Sequence, residues 1–233
     1  MLKIIFIGPA GSGKGTQGTL ITKQYGIPLI STGGLLRSRS EKNDELARHI
    51  DDTLARGGFV NDNLIFSMLK EKLAEDDCKD GFIIDGFPRN ISQAKTLDEF
   101  LGESAIDAVI VLNIPRDDIF KRMIGRFECT KCKAMYNKFY GNTKVDGVCD
   151  ACGSTDFSIR DDDSNIHAIV KRLDLYDRMS KELIEYYAEK NLIYSINALK
   201  DIQEIFKDIE NILNKLLEQK LRELDSSNKN KRL

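Results

Sequence analysis

Gly8-Pro9-Ala10-Gly11-Ser12-Gly13-Lys14-Gly15-Thr16 constrains this chain more than any other stretch. It follows the apolar run Ile4-Ile5-Phe6-Ile7 and leads into a helix-compatible segment ending near Tyr25. In the order strand, glycine-rich loop, helix, such a loop cradles phosphate. Glycines let successive backbone N–H groups turn inward onto an anion, and the helix N-terminus adds its positive end. Gly11, Ser12, Gly13 and Gly15 would supply the backbone, and Lys14 would reach the β- and γ-phosphates of a nucleotide. The Thr16 hydroxyl would meet a phosphate or its Mg²⁺. The competing reading, glycines serving only a tight turn, leaves the strand, lysine and threonine in register unexplained. One departure from the general pattern is Gly15, which stands between the lysine and the threonine.

Short apolar runs recur at Ile4–Ile7, Leu29–Ile30, Phe82–Ile84, Val109–Leu112 and Leu192–Ile196, with helical patterns between them. That alternation predicts an α/β fold, a parallel five-stranded sheet flanked by helices on both faces. Asn61 is placed to cap the run through Leu64, Met68 and Leu73, and Gly57-Gly58 ends the segment before it. One long helix is expected from Ser164 to Lys190 and another from about Asp201 to Leu224, with a disordered tail over 225–233.

The 233 residues suffice for one domain with a sizeable insertion. A net charge of −2 gives no overall pull toward nucleic acid or anionic membrane. No apolar run approaches the roughly 20 residues needed to span a bilayer, and the early core strand leaves no room for a secretory signal. A cytoplasmic protein is expected. Five cysteines do not make a disulfide framework in a chain this long, and Cys78, alone before a strand, reads as a small buried residue.

A second loop follows the strand Phe82-Ile83-Ile84: Asp85-Gly86-Phe87-Pro88-Arg89. An aspartate at the carboxyl end of a parallel strand can organise Mg²⁺ through its water shell, although Asp-Gly also simply forms turns. Arg89, after a rigid Phe-Pro pair, is placed for bidentate phosphate contact. Asn90 reads as a helix N-cap, with Gln93 completing a capping box. Thr32 could cap the helix after the second strand, and Arg37 could be a surface charge. Arg122 and Arg126, four residues apart after Pro115, are expected to share one helix face, where a triphosphate could meet both. Arg160 and Arg172 lie downstream, with Asp162-Asp163 between them. Phosphoryl transfer needs positive charge around the migrating group, and these arginines supply it.

Cys129-Thr130-Lys131-Cys132 and Cys149-Asp150-Ala151-Cys152 are separated by sixteen residues. Two such knuckles complete a tetrahedral thiolate site for a structural Zn²⁺, with iron the alternative metal and a redox dithiol or free thiols the competing readings. All four positions being sulfur leaves none open for catalysis. From Glu128 to Asn165, five Lys/Arg face seven acids, a balance poorly suited to a polyanion. The segment reads as a zinc-stapled flap too small to hold itself together by core burial.

Together these residues make the chain resemble the adenylate kinases, specifically the long bacterial type with a zinc-bearing LID. The similarity runs from about Lys3 to Leu213. It rests on Gly8–Thr16, on Ser31-Thr32-Gly33 with Arg37, on Asp85 to Arg89 with Gln93, on Gly125-Arg126, on Arg160 with Asp162-Asp163, and on Lys171-Arg172-Leu173. The resemblance implies the P-loop nucleoside monophosphate kinase fold and reversible transfer from MgATP to AMP, giving two ADP. It implies CORE segments at 1–31, 62–125 and 164–224, an AMP-binding insertion at 32–61 and a LID at 126–163. AMP would meet Thr32, Arg37, Gly58, Phe59, Val60, Gly86, Phe87, Pro88, Arg89, Gln93, Arg160 and Arg172. ATP would meet the phosphate loop, Arg122, Arg126, Met135, Tyr136 and Lys200, the last through its backbone. Lys14, Asp85, Arg89, Arg122, Arg126, Arg160 and Arg172 would act in the transfer. A monomer without nucleic-acid or membrane partners is implied. Family members usually carry aspartate where this chain has Gly34, a second arginine at Phe127, and Ile-Asp-Gly where it has Ile196-Asn197-Ala198. A UMP or CMP kinase and a non-catalytic nucleotide switch are the alternatives.

Overall fold

The computed structural model describes residues 2–42, 44–56, 58, 60–102, 106–159, 163 and 165–230. Five parallel strands form the main sheet: β1 (Lys3–Ile7), β2 (Leu29–Ser31), β3 (Phe82–Asp85), β4 (Ala108–Asn113) and, last in the chain, β8 (Ile193–Asn197), in the order β2-β3-β1-β4-β8. β1 is central, pairing Ile4 with Ile83 on one side and with Ala108 on the other. Successive side chains of a strand point to opposite faces, so an uninterrupted apolar run feeds two cores. Ile5 and Ile7 pack with Ile84, Val109, Leu183 and Tyr187 on one face. Ile4 and Phe6 pack with Ile21, Ile110, Ile205 and Ile209 on the other. Burying each of these side chains stabilises the fold by about 1.5–3 kcal/mol, and a polar residue at either position would disrupt one whole layer.

The helices follow their caps. α1 (Lys14–Tyr25) ends at Gly26, whose left-handed backbone lets its N–H reach the Thr22 carbonyl. α2 (Thr32–Ser40) is capped by Ser31, whose Oγ accepts from the Gly34 N–H. Thr32 is therefore not the cap, and its hydroxyl instead donates to the Asp85 carbonyl at 3.3 Å. α3 (Glu45–Ala55) starts on Asp44, and α4 (Asp62–Leu73) starts on Asn61 as expected. α5 (Ile91–Leu101) is capped by Asn90. The Gln93 side chain reaches back to the Arg89 N–H at 2.7 Å, one residue earlier than in a standard capping box.

α6 (Arg116–Ile124) stops two residues before Arg126, sooner than the arginine spacing suggests. Arg126 opens β5 (Arg126–Cys129), which pairs antiparallel with β6 (Met135–Asn137) and with β7 (Phe157–Ser158). Arg122 and Arg126 therefore do not share a helix face. Two interactions accompany the helix end: Asn137 Nδ2 donates to the Arg122 carbonyl at 2.6 Å, and Phe127 packs into an aromatic trio with Tyr136 and Phe157.

α7 (Ile166–Glu189) is capped by Asn165. α8 (Ile202–Asn230) opens with Asp201 accepting from the Gln203 N–H and Glu204 accepting from the Asp201 N–H. It runs past the expected end at Leu224. Asp225-Ser226-Ser227 contains no glycine or proline to stop it, and Ser226 Oγ bonds back to the Arg222 carbonyl. No described helix is long and apolar enough to cross a membrane. Cys78 is buried, and desolvation with Asp77 beside it pushes its thiol up to about 11, as a structural residue requires.

Candidate active site

The loop after β1 turns through Gly11 and Gly13, both in the left-handed region at φ 84° and 102°, and Lys14 is the first residue of α1. A side chain there would be strained, and a Cβ on Gly11 would sit 3.0 Å from Met123 Cγ. A Cβ on Gly13 or Gly15 would meet nothing within 4 Å, so the loop opens onto space at the helix N-terminus. An anion fits such a cradle.

Lys14 folds back over this loop. Its Nζ donates to the carbonyls of Gly8 and Pro9 at 2.7 and 2.8 Å and lies 3.8 Å from Asp85 Oδ1. Burial lowers its pKa; Asp85 opposes the shift, and Arg89, Arg172 and Arg126 reinforce it. Arg89 is lowered in the same way, by burial first and then by Arg172. Cations so close together in a desolvated space repel one another, which is the field of a site shaped for a polyanion.

Each arginine is aimed by a partner. Arg89 Nε donates to the Gly86 carbonyl at 2.7 Å. Gly86 itself sits at φ 90°, and a Cβ there would fall 2.5 Å from Thr32 Oγ1. Arg122 Nη2 donates to the Ala198 carbonyl at 2.8 Å, and its guanidinium lies over the Tyr140 ring at 5.4 Å. Arg126 grips Asp163 through both carboxylate oxygens, at 2.5 and 2.6 Å, and Arg172 reaches the same carboxylate at 3.3 Å. The Asp163 side chain is 0% exposed.

Removing a buried carboxylate takes a shared partner from two arginines in a desolvated site. Asp163→Ala is therefore expected to lower the unfolding free energy by about 3 kcal/mol, read as a shifted urea midpoint. An unchanged midpoint would show that the arginines do not depend on it.

A single cavity of about 570 Å³ gathers most of the expected residues. Its wall includes Gly11 to Thr16, Arg37, Asp85, Gly86, Pro88, Arg89, Arg122, Arg126, Arg172, Met135, Tyr136 and Lys200. Lys200 Nζ is engaged with Asp208 at 2.5 Å. Thr32, Val60, Phe87 and Gln93 are buried behind the wall, and Gly58 also lies off it. Gln93 Nε2 donates to Asp62 Oδ1 at 2.7 Å, tying α5 to α4. Phe59, Arg160 and Asp162 lie outside the described residues. Sequence reasoning did not identify Asp163 as an anchor, nor Tyr140 and Asn137, nor the wall that Tyr176 and Met179 of α7 provide. Only the 172/176 and 175/179 spacing on one helix face hinted at the last of these.

The four remaining cysteines meet in the small sheet. All four Sγ atoms lie within 4.8 Å of one another, with Cys129 to Cys152 at 3.6 Å and Cys132 to Cys149 at 3.5 Å. A tetrahedron of sulfurs about 2.3 Å from a central ion has edges of about 3.8 Å, so the set fits a tetrahedral metal. The two knuckles repeat one another: Lys133 N–H bonds to the Cys129 carbonyl and Gly153 N–H to the Cys149 carbonyl, each from a left-handed residue. The Tyr136 hydroxyl, followed by backbone N–H groups of Ala151 and Cys152, holds the Cys149 thiol below its ordinary range, favouring the thiolate a metal needs.

Comparison with known proteins points the same way. A sequence model of the adenylate kinase family matches residues 6–192. The chain is 41% identical to the adenylate kinase of Clostridium acetobutylicum over 217 residues, covering 92% of this chain and 100% of that protein. It is 43% identical to the Thermodesulfovibrio yellowstonii adenylate kinase over 92% of this chain and 100% of the relative. For the Archaeoglobus fulgidus adenylate kinase the figures are 40%, 92% and 99%. With a phosphate loop, converging arginines and a four-cysteine lid on a five-stranded parallel sheet, the chain belongs to the adenylate kinase family.

Proposed function

We propose that the protein is an adenylate kinase that reversibly moves the γ-phosphoryl group of MgATP onto AMP, giving two ADP and so balancing the adenine nucleotides. One observation carries this reading. Lys14, Arg89, Arg122, Arg126 and Arg172 line one cavity beside the phosphate loop. No side chain there is needed as a nucleophile or general base. The AMP phosphate oxygen attacks the γ-phosphorus as the bridging bond to ADP breaks, and the enzyme supplies alignment and charge.

In this account Lys14 leaves its two loop carbonyls for the β- and γ-phosphates, and Arg122 and Arg126 take the remaining donor charge. Arg37 and Arg89 hold the acceptor phosphate, while Arg172 and Arg160 bridge the two. Thr32, Gly58, Phe59, Val60, Gln93 and the Gly86-Phe87-Pro88 turn would shape the acceptor end. Met135, Tyr136 and the Lys200 backbone would meet the donor base or ribose. Mg²⁺ arrives with ATP and neutralises developing charge, and Asp85 would hold its water shell.

The chain divides into CORE segments at 1–31, 62–125 and 164–224, an AMP-binding insertion at 32–61 and a LID at 126–163 that excludes water when closed. Cys129, Cys132, Cys149 and Cys152 would hold a structural Zn²⁺. The protein would work as a cytoplasmic monomer on free nucleotides, and the acid-rich flap favours no nucleic-acid partner. Phosphorus NMR of an MgATP and AMP mixture tests the chemistry: both should be consumed equally, with two ADP formed per ATP. Inorganic phosphate as the main product would overturn the reading.

A further inference from the structure

The lid brings the metal knuckles and the cavity wall together at one side chain. Tyr136 belongs to β6, whose Met135, Tyr136 and Asn137 line the wall together with Arg126, Tyr140 and Gly141 of the lid. Its ring stacks on Phe127 at 5.6 Å and meets Phe157 edge-on at 5.8 Å. Its hydroxyl lies 3.2 Å from Cys149 Sγ and accepts the Asp150 N–H at 2.8 Å. Hydrogen-bond accounting fixes the direction. The Asp150 amide is already the donor to this oxygen, and a metal-bound thiolate carries no proton. With a metal bound, the phenolic O–H would therefore be the donor to sulfur. A thiolate that also accepts a hydrogen bond is held in orientation, and that outer contact tunes the metal.

We propose that the Tyr136 hydroxyl is a positioning residue that couples the metal centre to the nucleotide-facing wall of the lid. The zinc would then do more than staple the flap. Through Cys149 and Tyr136 it would set where β6 stands against a bound nucleotide. This inference rests on the kinase and zinc readings given above, and its test is separable from both.

The test uses the full chain reconstituted with Co²⁺, whose thiolate charge-transfer band reports sulfur ligation directly. Tyr136→Phe removes one oxygen and keeps the ring stack. It is expected to shift that band and to speed metal loss to a chelator about tenfold, as loss of an outer-shell partner does. Saturating ATP should slow metal loss from the unaltered chain, and that protection should vanish in Y136F. Linkage requires that any equilibrium gain in metal affinity produced by ATP reappear as an equal gain in ATP affinity on metal loading. Phe127→Leu is the control, since it disturbs the same aromatic cluster but keeps the hydroxyl.

An unchanged band and release rate in Y136F would overturn the proposal, as would an equal effect from F127L. Should Y136F fail to fold, the unaltered Co²⁺ protein decides: a band that moves on ATP binding supports the coupling, and one that does not overturns it. None of these readouts needs turnover. A chain that failed to phosphorylate AMP would sink the kinase reading and leave this test intact.

Discussion

Replacing Lys14 with methionine is expected to lower kcat/KM for phosphoryl transfer about 10³-fold, roughly 4 kcal/mol of lost transition-state stabilisation. The ammonium is desolvated and faces Asp85 across 3.8 Å, so its charge is little screened where phosphate would sit. The fold should survive. Burial and three arginines already disfavour the charged lysine, and Asp85 keeps Arg89 as a neighbouring cation when it is gone. The melting temperature of the nucleotide-free variant should therefore match the unaltered protein or exceed it. A variant that lost activity only in proportion to lost stability would remove Lys14 from the chemistry.

Stripping the metal should have the largest effect on stability. The lid's described core is three aromatic rings and the cysteines themselves, far too little buried surface to order a segment of this size. Metal binding free energy is folding free energy in such a unit. Cys132 is exposed, so a chelator can reach the site. Chelation is expected to lower the melting temperature by about 10 °C, corresponding to about 3–4 kcal/mol for a chain of this length. Part of the activity should persist below that transition, because the phosphate loop, Arg89 and Arg172 lie outside the lid. Identical melting curves with and without metal would show that the cysteines do not hold the lid.

Much of this was legible in the sequence because the signals are local. The phosphate loop declares itself through glycines that must take left-handed backbone and a lysine at the start of a helix. Apolar runs of two to five residues alternating with helical patterns point to the strands of a parallel sheet. Two Cys-x-x-Cys pairs make a tetrahedral metal site the first reading of their spacing.

What stayed hidden depends on tertiary partners. The helix after Pro115 carries one local stop signal, its C-cap Gly125, which the four-residue arginine spacing outweighs when the sequence is read alone. Asn137 of β6 also caps the helix's Arg122 carbonyl, and Phe127 joins an aromatic cluster. Asp163 stands in a run of acids that reads as a solvated surface, yet it is fully buried between two arginines. Ser31 and Thr32 are both cap-type residues; Ser31 takes the cap, and Thr32 is engaged by the Asp85 carbonyl from another strand. The bond from Tyr136 to Cys149 joins residues thirteen apart, with no periodicity to announce it.

The central claim is that converging cations and a closing lid direct the γ-phosphoryl group to a nucleotide and away from water. The most direct measurement is the rate of transfer from MgATP to AMP, GMP, CMP, UMP and water under one set of conditions. The account predicts strong preference for AMP, with hydrolysis slower by at least about 10³-fold, a ratio set by water exclusion and acceptor alignment. Preference for a pyrimidine monophosphate would keep the fold and overturn the acceptor. Hydrolysis as the dominant reaction, or ATP binding without turnover, would contradict the account.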